Sequence, residues 1–396
     1  MGGPARSEQR PGEAPGRVET LGVPEDERHL SATAAQSEEA AADGRMRDST
    51  EEMPRVRLTR GRLLASVAFV VSTVAFLYFV LPKLLGLRDT WNRIQHGNLW
   101  WLALAAALEV VSFLSYMLLF RAVFIRPSSR IGWRASYEIT MAGLAATRLF
   151  ASAGAGGVAL TAWALRRSGM EPRIVACRMI AFMALLYGVF MGALLIVGLG
   201  LYFSILPGSN PFAITIVPAI FGGVVIAIFL AVSLLPDDVD RLVARWGHGG
   251  RLGRLAGHAA AAPAAAASGV RTAIALVRSR DSSLLGAVGW WGFDIAVLWS
   301  CFHAFGGSPP MAVVVMSYFV GMLGNVLPLP GGIGGVDGAM IGAFSAFGTA
   351  VPLAVVAVLA YRAFAFWLPT LPGAVAYLQL RRTVQRWRDS RAPSYT

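Results

Sequence analysis

From residue 62 onward the chain sets long apolar runs between short polar interruptions. Runs near 62–81, 98–120, 173–201, 211–235, 283–305, 310–327 and 352–379 are close to the ~20 helical residues needed to cross a ~30 Å hydrocarbon core. Two further stretches, 135–165 and 328–348, are as apolar but interrupted by glycine. None shows the period-two alternation of barrel strands, and lipid cannot satisfy open backbone groups, so the runs predict helices. The expected fold class is all-α: a polytopic integral membrane helical bundle of about 7–9 membrane segments, including one or two re-entrant or broken helices.

Residues 1–54 break this pattern. They are rich in Glu, Ala, Gly, Pro and Ser and nearly free of aromatic residues, so they cannot bury enough apolar surface to offset ordering entropy. They predict a disordered cytoplasmic tail without the apolar core of a signal peptide. A membrane domain over 55–385 and a short cytoplasmic tail over 386–396 complete the expected organisation.

Composition strengthens the membrane assignment. Of 396 residues, 55% are hydrophobic and 15% charged, with mean hydropathy +0.56; ordinary globular domains carry about 25% charge. That balance argues against soluble enzymes and nucleic-acid binders. The net charge of +12 divides unevenly, with −6 in residues 1–54 and +18 in the remainder. Cys177 and Cys301 lie in apolar surroundings, which disfavours a disulfide framework or thiolate metal site. The five histidines lack metal-ligand spacing, so neither a metal nor another cofactor is expected, and no catalytic constellation stands out.

Lys83 is the only lysine, so topology follows from arginine. Arg55, Arg57, Arg60 and Arg62 precede the first run and place the N-terminus in the cytoplasm of a cell (inner or plasma) membrane protein. Arginine clusters flank 135–165 on both sides, at 121–134 and 166–173. A segment that enters and returns on the cytoplasmic side keeps both clusters inside. Loops 202–210 and 306–310 carry no charge and are expected outside. The loop 236–282, with seven arginines against four aspartates, is expected inside; its residues 259–277 fit either an interfacial amphipathic helix or a solvated linker. Arg381, Arg382, Arg386 and Arg388 argue for an inner C-terminus, which requires 328–348 to cross or one run to be miscounted.

The glycine-interrupted stretches read Thr147-Arg-Leu-Phe-Ala-Ser-Ala-Gly-Ala-Gly-Gly157 and Asn325-Val-Leu-Pro-Leu-Pro-Gly-Gly-Ile-Gly-Gly-Val-Asp337. Paired interruptions in corresponding halves of a chain point to a transporter's binding site. Pro328 and Pro330 stop the preceding helix, and Gly331, Gly332 and Gly334 let the backbone turn and approach a ligand. Ile333 or Gly335 would start a half-helix whose free N–H groups suit an anion. Close helix packing is the alternative use of such glycines, and it is the preferred one for Gly188, Gly192, Gly198 and Gly200.

Pro328-Leu-Pro-Gly-Gly-Ile-Gly-Gly-Val-Asp337, the apolar helix after it, Ala360-Tyr-Arg-Ala-Phe364 and Leu371-Pro-Gly373 together resemble the C-terminal signature of the lysylphosphatidylglycerol synthase transmembrane family. This is the flippase-like module of MprF-type proteins and of stand-alone UPF0104 membrane proteins. Gly156-Gly157, Trp163, Leu165-Arg-Arg-Ser-Gly169 and Arg178 resemble its first motif, so that the likeness covers roughly 60–385. It implies a bundle with re-entrant segments that moves phospholipid or glycolipid headgroups between leaflets. Asp337 stands where the family usually has Glu. Ala153 and Val158 or Ala159 stand where its first motif commonly has Pro and an acid. Residues 381–396 form only a short tail, so lysylphosphatidylglycerol synthesis is not implied.

Six charges within the apolar runs or breaks are singled out: Glu109, Asp294, Asp337, Arg148, Arg178 and Arg362. A lone charge at mid-bilayer costs about 2.5–3.5 kcal/mol on insertion scales, so internal pairing or water is required. Asp337 and Arg362 head the candidate binding residues, one suited to a headgroup amine or a coupling proton and the other to a lipid phosphate. Arg148, Asn325, Glu109, Asp294, Gly331, Gly332, Gly334 and Arg178 complete the set. Arg178 lies near its helix start and is expected to snorkel; Asp294 follows Trp290-Trp291, a candidate aromatic belt. The expected function is translocation of an anionic phospholipid or lipid-linked headgroup, with membrane lipids as partners, no nucleic acid, and a homo-oligomer left open. A membrane enzyme on a lipid-linked substrate, or a non-transporting scaffold with structural ion pairs, are the alternatives.

Overall fold

The computed structural model describes residues 97–125, 131–149, 155–234, 266–326 and 332–389. The tail 1–54, the run 62–81, most of the loop 236–282, the break residues 150–154, and Pro328, Pro330 and Gly331 lie outside the described residues. Within them the fold is all-α, with no strand. The helices are α1 (Leu99–Phe124), α2 (Trp133–Leu149), α3 (Ala155–Arg167), α4 (Pro172–Tyr202), α5 (Phe212–Ser233), α6 (266–278), α7 (Gly286–Ala304), α8 (Met311–Leu323), α9 (Gly335–Ala346), α10 (Val351–Arg362) and α11 (Leu368–Asp389).

Five of these segments are long and apolar enough to cross a membrane: α1, α4, α5, Ser282–Ala304 and Val351–Arg388. Their apolar side chains cover the outside as well as the inside. Val217, Ile220, Val224 and Ile228 of α5 are all exposed, a surface that lipid covers without cost and water does not. The run 310–327, expected to be a full crossing, falls short of that length. Its α-helix has 13 residues, about 20 Å by helical rise, before tightening into the 3₁₀ turn Gly324–Val326.

Helix order follows from a few end contacts. Asn98 N–H donates to the Ala304 carbonyl, so α1 and α7 run antiparallel. Small residues let them touch: a Cβ at Gly286 would collide with the Ser115 carbonyl of α1. Likewise a Cβ at Gly222 of α5 would sit 2.6 Å from the Met191 carbonyl of α4. Gly198 is packed in the same way, against the Thr215 carbonyl, whereas Gly188 and Gly192 have nothing within 4 Å and are not packing glycines. At one end of the bundle, Arg178 on α4 donates to the Val123 carbonyl in the last turn of α1, at 2.8 Å. Thr383 on α11 donates to the fully buried Glu138 on α2, at 2.6 Å, and Arg134 Nε lies 3.0 Å from the same carboxylate. Cys177 of α4 meets Thr272 of α6, and Val270 and Ala273 are buried, so the described part of 259–277 is a docked amphipathic helix. This end carries Arg121, Arg166, Arg167, Arg173, Arg278, Arg381 and Arg382.

At the opposite end the loops 203–211, 305–310 and 347–350 carry no charge. They surround one cleft of about 350 Å³, and Ser209 donates to the Phe347 carbonyl at 2.9 Å. Two short-helix hairpins follow from this arrangement. Both outer ends of α2–α3 lie at the basic end, while α8 begins and α9 finishes at the uncharged end. Close approach near each tip is set by glycine. A Cβ on Gly157 would strike Thr147 and the Gly143 carbonyl, and one on Gly324 would strike Gly335.

Gly222→Val is expected to destabilise the protein by about 2–3 kcal/mol, because the neighbour it strikes is backbone and cannot swing aside. Gly192→Val, into open space, is expected to change the detergent unfolding midpoint by no more than a degree or two; fluorescence-detected size exclusion after heating measures both.

Candidate functional site

The hairpin tips carry charge to the middle of the bundle. α9 opens at Gly334, whose φ of +85° is a conformation that only glycine adopts without strain; Gly332, at φ +66°, shapes the turn before it. Asp337, in the first turn, accepts from the Gly334 N–H at 2.9 Å, so the helix start is capped by its own side chain. Its second oxygen lies 2.6 Å from Arg362 Nε. That contact is an ion pair without hydrogen-bond alignment, since Oδ1 accepts no hydrogen bond from a described residue. Only 3% of the Asp337 side chain and 14% of that of Arg362 are exposed, so the pair lies within the protein.

Arg362 ends α10, where the helix widens into a π turn, Ala363–Trp367. Pro369 lacks the N–H that would bond the Ala365 carbonyl, and its ring crowds that turn. Thr370 Oγ1 donates to the Phe366 carbonyl, which meets one of the carbonyls disturbed there.

A second set of charges lies near mid-height of α1 and α7. Glu109 is 1% exposed and Asp294 7% exposed, and their carboxyl groups are in hydrogen-bonding contact. Tyr361 Oη donates to Asp294 Oδ2 at 2.9 Å, and Tyr318 donates to the same oxygen. Arg148, at the tip of α2–α3, lies within electrostatic reach of Glu109, Asp294, Tyr361 and Arg362, and its guanidinium is 5.7 Å from the Phe113 ring. Among the described residues, the buried Arg148 Nη1 and Glu109 Oε2 have no hydrogen-bond partner.

Five expected site residues therefore meet: Glu109, Arg148, Asp294, Asp337 and Arg362. Gly332 and Gly334 shape the turn beside them. Asn325 is exposed in the 3₁₀ turn, packed against Gly332 with its Nδ2 3.6 Å from Met322 Sδ. Gly331 is outside the described residues. Arg178 stands apart, about 21 Å along α1 from Glu109 by helical rise; instead of snorkelling free it holds a helix-end carbonyl of α1. The half-helix expected to start at Ile333 or Gly335 begins at Gly335, and the N–H of its cap residue Gly334 is taken by Asp337. Trp291 is not a belt residue either: it is buried, with Nε1 donating to the Leu186 carbonyl at 2.8 Å. Tyr318 and Tyr361, both fully buried, were not anticipated. A phenol in an apolar run needs a partner for its hydroxyl, and that was the available signal.

Beside this site, Tyr116 lies within reach of both Arg148 and Tyr187. Tyr187 in turn lines an apolar groove of about 550 Å³ between α4, α5 and α6, with Arg278 at its rim.

Comparison with known proteins identifies the module. The profile of the family described as "Lysylphosphatidylglycerol synthase TM region" matches residues 63–373. A "UPF0104 membrane protein" of Methanothermobacter thermautotrophicus is 35% identical over 91 residues, which is 23% of this chain and 26% of that protein; the match thus spans about a quarter of the relative's length. No solved structure matches.

Arg362→Ala leaves the Asp337 carboxylate buried without its counter-charge and is expected to cost about 3–5 kcal/mol. The double variant Asp337→Asn with Arg362→Gln keeps an acceptor for the Gly334 cap and removes both charges. It is expected to recover most of the loss in thermal unfolding followed by tryptophan fluorescence.

Proposed function

The chain belongs to the family of the lysylphosphatidylglycerol synthase TM region, and on that premise we propose that it moves an anionic phospholipid or lipid-linked headgroup between leaflets. The observation that carries this proposal is Arg148: a buried guanidinium at a hairpin tip, with an Nη1 that no described residue satisfies. Buried donors are rarely left unpaired, and a guanidinium fork matches phosphate oxygens. Arg362 is less suited to hold phosphate because Asp337 already neutralises it.

In this proposal α2–α3 and α8–α9 are re-entrant hairpins, each entering and leaving at its own face. The support is that both ends of each hairpin sit at one end of the bundle. Neither α3, with 13 residues, nor α9, with 12, spans a ~30 Å core. The basic end faces the cytoplasm. With 328–348 returning to the uncharged end, the C-terminal arginines reach the cytoplasmic side without a further crossing. The charged cluster around Arg148 meets the headgroup, and the groove beside Tyr187 offers apolar surface for an acyl chain, with Arg278 among its lining residues.

A non-transporting scaffold is the second reading, favoured by the self-contained Asp337–Arg362 pair; it gives Arg148 no task. In vesicles with fluorescent phosphatidylglycerol, Arg148→Gln is expected to cut translocation more than tenfold. The charge swap Asp337→Arg with Arg362→Asp is expected to retain measurable translocation. Unchanged scrambling in Arg148→Gln would remove the proposed site.

A further inference from the structure

The charges around Arg148 do not balance as drawn. Asp337 and Arg362 compensate each other, which leaves two carboxyl groups, Glu109 and Asp294, facing one guanidinium. The carboxyls lie one turn from the point where Ser112 of α1 donates to the Trp290 carbonyl of α7 and interact directly, and two ionised carboxylates so close cannot both persist in a dry interior. One proton shared by the pair, together with Arg148, brings the set to neutrality. Two phenol donors on Asp294 Oδ2, from Tyr318 and Tyr361, favour that oxygen as an acceptor. The remaining titratable neighbours among the described residues are Tyr116 and Tyr187 and Cys301, which lies within reach of Glu109; none of these supplies a second cation.

We propose that phosphate binding at Arg148 is linked to uptake of one further proton by the Glu109–Asp294 pair, so that an anionic headgroup binds there together with a proton. This rests on the assignment of Arg148 as the phosphate contact. A phosphodiester monoanion brought to Arg148 takes the local sum from zero to −1. An uncompensated buried charge costs several kcal/mol, and a proton from solvent onto the second carboxyl restores neutrality, with no bond broken elsewhere. Glu109 Oε2, buried and without a described partner, is an acceptor site open to it. A zwitterionic headgroup carries its own cation and needs no proton.

The test uses the full chain in dodecyl maltoside, titrated by calorimetry in buffers of different ionisation enthalpy. The probes are dioctanoyl-phosphatidylglycerol, dioctanoyl-phosphatidylcholine and dimethyl phosphate, each over pH 5.5–8.5. Phosphatidylglycerol is expected to take up one proton per molecule bound, with affinity weakening about tenfold per pH unit through the window of uptake. Phosphatidylcholine takes up none. Uptake with dimethyl phosphate as well would show that the site reads phosphate as such, and uptake with the lipid alone that it reads a headgroup on its chains. The isosteric double variant Glu109→Gln with Asp294→Asn is expected to bind phosphatidylglycerol with no pH slope and no proton uptake. Wild-type binding without proton uptake overturns the linkage and leaves translocation standing; a slope that survives in the double variant overturns it too. Absence of phosphatidylglycerol and dimethyl phosphate binding at every pH overturns both the linkage and the Arg148 site. The wild-type proton count needs no variant, so a double variant that fails to fold leaves the proposal falsifiable.

Discussion

Compensation of charge where water is excluded is the constraint that organises the bundle. Five ionisable groups stand near its middle, on α1, α2, α7, α9 and α10. An isolated one would cost several kcal/mol, so the helices that carry them must arrive together. The hairpin tip of α2 meets α1 and α7 through Arg148, Glu109 and Asp294. The start of α9 meets the end of α10 through Asp337 and Arg362. Tyr361, one residue before Arg362, reaches back to Asp294 and ties the two sets into one network. Removing Asp337 or Arg362 strands the other.

Packing makes the approach possible. Glycines at the α1–α7 and α4–α5 contacts bring backbones close enough for their carbonyls to face the missing Cβ. In a chain whose outer surface is as apolar as its core, burial cannot discriminate between helix faces as it does in water, and close fit together with polar pairing takes over. The same logic explains why function and structure are hard to separate here. Asp337 caps its own helix and neutralises Arg362, whereas no described residue satisfies Arg148 Nη1.

Much of the architecture was legible beforehand. Apolar runs at 98–120, 173–201, 211–235 and 283–305 became α1, α4, α5 and α7 with shifts of a few residues, because length and hydropathy alone decide what can cross lipid. Asp337 and Arg362 stood out as charges in apolar sequence, each with its own ligand role; that they pair with each other is visible only in the structure. The run 310–327 reads as a full crossing by hydropathy, yet its α-helix has 13 residues: hydropathy reports what lipid tolerates, not where a helix stops. The aromatic-belt assignment of Trp291 failed for a related reason, since a tryptophan between two apolar neighbours reads alike at an interface and in a core.

By itself the sequence determined that this chain is a helical membrane protein, where its helices break, and that charges within apolar runs would need partners. Those properties belong to segments of about twenty residues and are set by transfer free energy and backbone chemistry. Tertiary structure decided which partners: Glu109 with Asp294, 185 positions apart in the chain, Tyr318 and Tyr361 on one carboxylate oxygen, and Arg178 on a helix end instead of beside Arg148. Helix rotation and crossing set those contacts, and hydropathy in an all-round apolar helix does not record which face turns inward.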